Sequence, residues 1–231
     1  MLIYGKNVAK EALKEKNKIK KIFLVNNFND TEVINLLNEN DFNIIYKDRR
    51  EMDHMVSGLH QGIALEVEDF RYTEFTKIIE DEVIVILDHL EDPHNLGAII
   101  RTCEAAGIKS IIIPKDRSVG VNATVIKTSV GTIENVKICE VTNLVNSIKE
   151  LKKNNFWIVG TDMDGTDYRK IDYSGKVAIV IGNEGKGISR LVKEECDFVA
   201  SIPMNGTVNS LNASVAAGII IFEAIRGKSE L

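Results

Sequence analysis

The chain has 231 residues, of which 44% are hydrophobic and 27% charged, and its formal net charge is −5 at pH 7. This composition is typical of an ordinary globular protein, and the acidic balance argues against general nucleic-acid binding, because non-specific affinity for phosphates comes from Lys and Arg. The apolar runs are far shorter than the roughly 20 residues of a membrane span, and no signal-peptide core follows Met1. We therefore expect a cytoplasmic protein without membrane contact.

The first 69 residues alternate helical and strand patterns, which predicts a small α/β domain. Helices are expected at 5–14, 31–39 and 49–56, and strands at 22–25, 42–46 and 62–67. Basic residues are concentrated in this domain, at Lys6, Lys10, Lys14, Lys16, Lys18, Lys20, Lys21, Lys47, Arg49 and Arg50. They indicate either a local polyanion-binding surface or a solvated lysine-rich face that binds nothing.

A charged segment without a clear strand period follows at 70–82 and is predicted to be a partly helical linker. A second domain is expected at 83–231, because unbroken apolar runs separated by helical patterns are typical of strands buried on both faces of a parallel sheet. The runs lie at 83–87, 111–113, 156–160, 177–181 and 198–202.

The first strand of this domain is followed by DHLEDPHNLGAIIRTCEAAG, residues 88–107. Apolar residues at i, i+3, i+4 and i+7 from Leu96 predict a helix that starts near Asn95 and ends at Gly107. Arg101 comes two residues after the apolar Ile99, a rotation of about 200° on a helix, so it should point away from the buried stripe. On this pattern alone, Asn95 is a helix cap and Arg101 a surface charge.

Two further polar stretches follow strands of the second domain. IGNEGKGIS, residues 181–189, fits neither GxxxxGK[ST] nor GxGxxG, and it is either a plain strand-to-helix turn or a tight loop around Glu184. MNGTVNSLNASVAAG, residues 204–218, is either the polar start of a C-terminal helix capped by Ser210 or the wall of a binding site. Ligands in open α/β sheets bind at the carboxyl ends of strands, which favours a site.

The sequence does not predict a metal site or a disulfide framework. Its cysteines at 103, 139 and 196 are odd in number, widely spaced and without a CxxC pair, so we expect reduced thiols. Asp162, Asp164 and Asp167 suggest a metal loop, but Gly165 is misplaced for an EF-hand, and a turn is expected instead.

Three motifs carry a resemblance to a known family. DPHNLGAIIRTCEAAG, GNEGKGIS and IPMNGTVNSLNASVAAG, in this order, resemble the signature motifs of the SpoU (TrmH-like) RNA ribose 2′-O-methyltransferases of the SPOUT superfamily. KTSVGTIENV, YGKNVAKEAL and GLHQGIALEV extend the resemblance over nearly the whole chain. It implies a parallel-sheet α/β domain with a deep trefoil knot, a small ribosomal-protein-like α/β domain that binds RNA, and a homodimer with the active site at its interface.

The resemblance also implies a set of functional residues. Those that match catalytic motif positions are Asn95, Arg101, Glu184, Ser210 and Asn212. The implied cofactor is S-adenosylmethionine, and its matching contacts are Gly160, Thr161, Gly182, Ile202 and Leu211. Arg101 is expected to act as a fixed cation rather than a base, because guanidinium stays protonated in proteins. Glu184 is expected either to pair with Arg101 or to accept the proton. Asn209 departs from the Glu or Gln that the family often has there.

The size of the N-terminal domain resembles the branch that methylates a guanosine ribose in large-subunit ribosomal RNA. A tRNA ribose is the alternative substrate within the class. A non-catalytic RNA-binding relative and, from the sheet alone, a nucleotide-binding oxidoreductase remain as other classes, although the missing GxGxxG argues against the latter.

Overall fold

The structure is a computed structural model that describes residues 1–14, 19–56, 58–208 and 210–229. The expectations for Lys16, Lys18 and Asn209 concern positions outside these ranges. Of the described helices, none combines the length and the hydropathy that a membrane crossing requires.

The chain divides into two compact units whose boundaries differ from the predicted domains at 1–69 and 83–231. The first unit is Met1–Arg71 together with Val121–Gly131, and the second is the remainder. The distant segment joins the first unit because Ala123 and Ile126 pack against its apolar core. The predicted linker at 70–82 contains a short helix, Phe75–Ile78 (α4), and Ile78 is fully buried in the core of the second unit.

The first unit is a four-stranded sheet with helices. Its elements are β1 (Leu2–Tyr4), α1 (Lys6–Lys14), β2 (Ile19–Val25), α2 (Thr31–Asn38), β3 (Ile44–Lys47), α3 (Arg49–Met55), β4 (Ile63–Val67) and α6 (Ala123–Ser129). The strand order is β1-β4-β2-β3, in which only the β2–β3 pair is parallel. The predicted helices and strands of residues 1–69 are present, and the three-residue β1 is too short to carry a recognisable period.

Several lysines of the first unit form ion pairs with nearby carboxylates. Lys6 lies 3.3 Å from Asp30, Lys10 lies 2.5 Å from Glu32, and Lys21 lies 3.3 Å from Glu66. These pairs reduce the positive potential that an unpaired row of lysines would produce.

The second unit is a six-stranded parallel sheet with helices, as the apolar runs predict. Its elements are α4, β5 (Val83–Leu87), α5 (Pro93–Ala105), β6 (Ser110–Pro114), β7 (Lys137–Val141), α7 (Leu144–Lys153), β8 (Phe156–Asp167), β9 (Lys176–Ile181), α8 (Arg190–Glu194), β10 (Phe198–Ser201) and α9 (Ala213–Ser229). The strand order is β10-β8-β9-β5-β6-β7, and each neighbouring pair is parallel. Every residue of β5 is buried, and burying an Ile or Val side chain stabilises the fold by roughly 1.5–3 kcal/mol.

Strand β8 leaves the sheet and returns to it. Phe198 and Val199 of β10 pair with Val159 and Gly160, whereas Ala200 pairs with Thr166. Residues 161–165 are therefore an excursion from the ladder, at the edge where β9 and β10 end. Thr161 Oγ1 donates to the carbonyl of Val180 at 2.9 Å, which ties the start of this excursion to β9.

Candidate active site

The loop after β5, residues 88–92, places the first motif at the carboxyl edge of the sheet. Asp92 caps α5 by accepting a hydrogen bond from the amide of His94 at 2.8 Å, and Pro93 begins the helix. The helix therefore begins two residues before the predicted start near Asn95, and the prediction that Asn95 is its cap is wrong. Pro93 suits the first position of a helix because it has no amide hydrogen to leave unpaired there.

Asn95 is thereby available for a tertiary contact. Its side chain is buried, with only 6% of its surface exposed, and its Nδ2 donates to Oε1 of Glu184 at 2.6 Å. Fold formation thus brings together two of the predicted catalytic residues, 89 positions apart in sequence. A short hydrogen bond from an amide to a carboxylate oxygen is among the stronger kinds in proteins.

Glu184 stands in a loop that the backbone closes on itself, residues 182–188, which we call the glycine loop. Asn183 and Gly187 exchange backbone hydrogen bonds of 3.0 and 2.9 Å, and the Asn183 side chain accepts from the amide of Gly185 at 3.0 Å. A Cβ atom on Gly182 would lie 2.3 Å from the carbonyl carbon of Gly187. Only glycine fits there, so the first glycine is required for the closure of the loop.

A buried carboxylate that the sequence analysis missed joins the two loops. Asp88 is 1% exposed, accepts from the amide of Ser189 at 2.6 Å, and has its other oxygen 2.5 Å from Nδ1 of His89. Asn183 Nδ2 donates to the carbonyl of His89 at 2.9 Å. A buried carboxylate is costly unless it is hydrogen-bonded, so Asp88 fixes the spacing of both loops. The available signal was an acidic residue directly after a fully apolar strand.

The predicted cofactor positions lie within or directly after adjacent strands. Gly160 lies in β8 before the excursion, Gly182 directly follows β9, and Ile202 directly follows β10. These strands are neighbours in the order β10-β8-β9, so their carboxyl ends share one edge. A Cβ on Gly160 would meet the Sγ of Cys196 at 2.7 Å, so packing within the protein already accounts for this glycine. Leu211 is half-buried, two residues before α9 begins.

Arg101 and the third motif form the exposed part of the predicted site. Ile99 is fully buried whereas Arg101 is exposed, which confirms the predicted orientation of this arginine. Helix α9 lies alongside α5, and a methyl group on Gly218 would be 3.9 Å from the side chain of Thr102. In the described ranges, no hydrogen bond joins Arg101 to the Asn95–Glu184 pair.

The start of α9 differs from the prediction that Ser210 caps it. Asn212 is the capping residue: its Oδ1 accepts from the amide of Ser214 at 2.9 Å and from the Ser214 hydroxyl at 2.6 Å. Ser210 is exposed and lies outside the helix. The start of the helix therefore holds the side chain of Asn212 in place, but not that of Ser210.

Charged and thiol groups near the site are structural. The bond from Lys193, 2.7 Å long, holds the pKa of the Asp162 carboxyl below its ordinary value. Burial raises the pKa of the Cys103 thiol to about 12 and that of Cys196 to about 11, so both are neutral. Among the described residues, no three His, Cys, Asp or Glu side chains are grouped to hold a metal ion.

Comparison with known proteins shows the family of the chain. Residues 82–222 match the model of the SpoU rRNA Methylase family, and residues 2–73 match that of an RNA 2′-O ribose methyltransferase substrate-binding domain. A Bacillus subtilis protein named YacO, described as a TrmH family tRNA/rRNA methyltransferase, is 42% identical over 238 residues, which cover 98% of this chain and 96% of that protein.

Solved structures are similar over most of the chain. An rRNA methyltransferase from Sinorhizobium meliloti with bound AdoMet has a TM-score of 0.78 and 28% identity, with 97% of this chain and 86% of that one covered. A TrmH/SpoU tRNA modifying enzyme of A. aeolicus has a TM-score of 0.60 and 32% identity, with 68% and 83% covered. The family match spans more than half of the chain and the Bacillus subtilis relative spans nearly all of it, so this chain belongs to the SpoU rRNA methylase family of RNA methyltransferases.

Proposed function

We propose that this chain transfers a methyl group from S-adenosylmethionine to a ribose 2′-hydroxyl of RNA. The observation that carries the proposal is the 2.6 Å bond between Asn95 and Glu184. It joins two motif residues of a SpoU family chain at the carboxyl edge of a parallel sheet, where ligands of such sheets bind.

The residues at this edge suit the proposed cofactor. When bound, S-adenosylmethionine supplies a methyl group on a positively charged sulfur, which an oxygen nucleophile can attack. Ile202 and Leu211 offer half-buried aliphatic side chains, and the segments around Gly182 and Thr161 bring backbone amides and carbonyls to the same edge. Apolar contacts with a few placed polar groups are the usual composition of a cofactor site. The bound AdoMet of the Sinorhizobium meliloti structure supports the same assignment.

The protein must then position the 2′-hydroxyl and accept its proton. We assign proton acceptance to Glu184, because Asn95 holds one carboxylate oxygen in place and the loop closure holds its backbone. Arg101 supplies a fixed cation for the target phosphate and for the charge that grows on the ribose oxygen. Ser210 and Asn212 orient the nucleotide. Such placement within about 3–3.5 Å is a large part of the rate enhancement for a group transfer.

Ribosomal RNA is the preferred substrate, with a guanosine ribose of 23S rRNA as the specific candidate. The rRNA methyltransferase of Sinorhizobium meliloti supports this choice, because its match covers both units of the chain. A tRNA ribose is the second candidate, supported by the tRNA modifying enzyme of A. aeolicus, although that match covers less of the chain. Either RNA places the enzyme in the cytoplasm.

A homodimer through the second unit, and a deep trefoil knot in it, belong to the same proposal. Val215 and Phe222 are both about half exposed, at 51% and 53%, and are two helical turns apart on one face of α9. Large apolar side chains aligned on an exposed helix face are typical of an association surface. Phe222→Glu is expected to shift the protein from dimer to monomer in sedimentation, and an unchanged mass would contradict the dimer.

The proposed activity is tested by mapping ribose methylation in total RNA from cells with and without the gene. One site should be lost, and that site names the substrate; an unchanged map would overturn the proposal. In purified protein, Arg101→Ala should reduce methyl transfer by about 10²–10³-fold while leaving cofactor binding by calorimetry nearly unchanged. Lys109→Ala is the matched control, since Lys109 is an exposed cation just after α5.

A further inference from the structure

A cavity lies at the carboxyl edge of the sheet, beside the predicted active site. It has a volume of about 570 Å³ and is formed where β5, β6 and β7 end, with the segment 183–192 as its fourth side. This size is within the range of about 300–1,000 Å³ that is usual for small-molecule sites. None of the predicted catalytic or cofactor residues lines it. We call it the strand-edge pocket.

The strand-edge pocket shares one wall with the predicted active site. Asn183 lines the pocket and donates to the carbonyl of His89, whereas the next residue, Glu184, accepts from Asn95. The two sides of one closed loop therefore face two neighbouring sites. Because Asn183 and Glu184 are consecutive residues, the pocket lies next to the position proposed for the reacting ribose.

The lining of the pocket suits a nucleotide. Leu144 and Val192 form a buried apolar floor, and Leu191 adds an apolar surface that is 54% exposed. Arg117 and Lys186 stand at the rim with exposed side chains, and neither forms an ion pair with another residue of the described ranges. An apolar surface accepts a base, and free cations bind phosphate, which is the combination that single-stranded nucleic acids require.

The backbone of the pocket is also conformationally strained. His89 has a φ of 56° and Arg117 a φ of 55°, and both residues line the pocket. A left-handed backbone is unfavourable at a residue other than glycine, and such residues are concentrated at ligand sites and active sites. His89 is held by its bond to buried Asp88, so the surrounding structure maintains the strain.

From these observations we propose that the strand-edge pocket binds the nucleotide adjacent to the methylated one in the RNA strand. Its base lies against Leu144 and Leu191, and its phosphate is bound by Arg117 and Lys186. This proposal rests on the proposed function, because it takes the RNA substrate from it. It adds a second RNA contact that determines which sequence context the enzyme accepts.

The salt dependence of RNA binding tests the phosphate contacts. Affinity of the full-length protein for a single-stranded RNA 12-mer of random sequence is measured against salt for the wild type and for Arg117→Gly with Lys186→Ala. Glycine suits the left-handed backbone at 117. In the proposal both cations bind one phosphate, so their loss should reduce the slope of log affinity against log salt by about 0.7, the contribution of one single-strand phosphate. Leu191→Ala should weaken binding severalfold without changing the slope.

The matched control is Lys115→Ala, an exposed cation two residues before Arg117 that does not line the pocket. Its slope should fall by less than that of the double variant, and equal slopes for all three proteins would overturn the proposal. In a second measurement, 4-thiouridine in the same 12-mer is photo-cross-linked and the peptides are mapped. Cross-links to 142–145 or 186–191 are expected, and cross-links confined to other segments would contradict it.

These readouts separate the two proposals. If the wild type binds RNA and the double variant changes the slope, but no RNA is methylated, the proposed activity fails and the pocket stands. If the wild type methylates RNA and the pocket variants behave as Lys115→Ala does, the pocket assignment fails and the activity stands.

Discussion

The loops of the predicted active site differ in how firmly the protein itself holds them. Two hydrogen bonds of buried side chains join the segments that contain the loop 88–92 and the glycine loop. Asp88 accepts from the amide of Ser189, and Asn95 donates to Glu184. In the third motif, by contrast, Thr207, Val208 and Ser210 are exposed, and among its described residues the first side-chain hydrogen bonds are those of the Asn212 cap. We call residues 88–95 and 182–189 the closed half of the site, and residues 202–208 and 210–212 the open half.

This difference separates two physical tasks. Groups that stabilise a transition state are effective when they are fixed before the reaction, because no reorganisation is then needed. Groups that receive a long, charged substrate must be accessible, and the cost of ordering them falls on binding. The closed half therefore suits the proton acceptor, and the open half suits contacts with cofactor and RNA.

The largest effect should come from adding one carbon atom in the closed half. Gly182→Ala would place a Cβ 2.3 Å from the carbonyl carbon of Gly187, a backbone atom that cannot move aside without opening the loop. We expect a loss of about 2–3 kcal/mol in the free energy of unfolding, measured by chemical denaturation, together with loss of AdoMet binding by calorimetry.

Gly185→Ala is the control for that change. It lies in the same loop, three residues further on, and its nearest contact for a Cβ is the Asn183 side chain at an ordinary 3.8 Å. Unfolding and cofactor binding should be close to those of the wild type. Equal losses in both variants would mean that the loop tolerates no substitution at all, and the argument from close approach at Gly182 would be wrong.

The second prediction concerns charge in the closed half. Asn95→Asp would remove the donor to Glu184 and bring two carboxylates to about the same 2.6 Å separation. Like charges raise each other's pKa, so the folded-state pKa of the pair would exceed its unfolded value. The variant should therefore approach wild-type stability at pH 4 and lose about 1–2 kcal/mol as the pH rises through the raised pKa towards 8.

Thermal unfolding of Asn95→Asp and of the wild type at pH 4, 6 and 8 measures this. Asn95→Leu is the matched variant, since it removes the donor without adding a charge. Its deficit should be independent of pH. A deficit in Asn95→Asp that is the same at all three pH values would show that Glu184 does not stay beside residue 95.

Much of the fold follows from sequence patterns because the second unit is built from buried strands. Val83–Leu87 is uninterrupted in β-branched and leucine residues, and it is a strand with the predicted bounds. β7, Lys137–Val141, was not predicted. It is one of the two edge strands, and its charged residues Lys137 and Glu140 interrupt the apolar run. The membership of 121–131 in the first unit was missed because it depends on contacts with residues more than 80 positions away.

The site was predictable in its residues but not in its contacts. Motif resemblance names Asn95 and Glu184, yet their contact depends on the fold because 89 residues separate them. Local rules assigned the two helix caps wrongly. Asp92 and Asn212 each stand directly before the first helical residue, whereas the predicted caps were Asn95 and Ser210. Asp88 could not be predicted, because a single acidic residue after a strand has no motif around it.

The third prediction sharpens the description of the open half. Asn212→Ala removes the acceptor for the Ser214 amide and should cost about 1 kcal/mol in unfolding free energy, the usual worth of a helix cap. Ser210→Ala, two residues earlier and exposed, should leave stability unchanged while lowering methyl transfer. If Ser210→Ala destabilised the fold as much as Asn212→Ala, the motif would be structural throughout and the open half would not be open.

The smallest effect should decide to which half the excursion 161–165 belongs. Thr161 bonds to Val180, Ser201 Oγ donates to the carbonyl of Gly165 at 3.0 Å, and Asp162 lies 2.7 Å from Lys193. These contacts place it with the closed half, although the Asp162–Lys193 pair is partly exposed and solvent weakens it.

The pKa of Asp162 is lowered in the folded state, so the pair stabilises the fold above the unfolded pKa and loses this contribution as the pH falls through the lowered value. Asp162→Asn should therefore cost about 0.5 kcal/mol at pH 7 and progressively less below about pH 4, measured by thermal unfolding. Asp164→Asn, an exposed neighbour on the same excursion, should cost less than Asp162→Asn at pH 7, and an equal loss in both variants would assign the excursion to the open half.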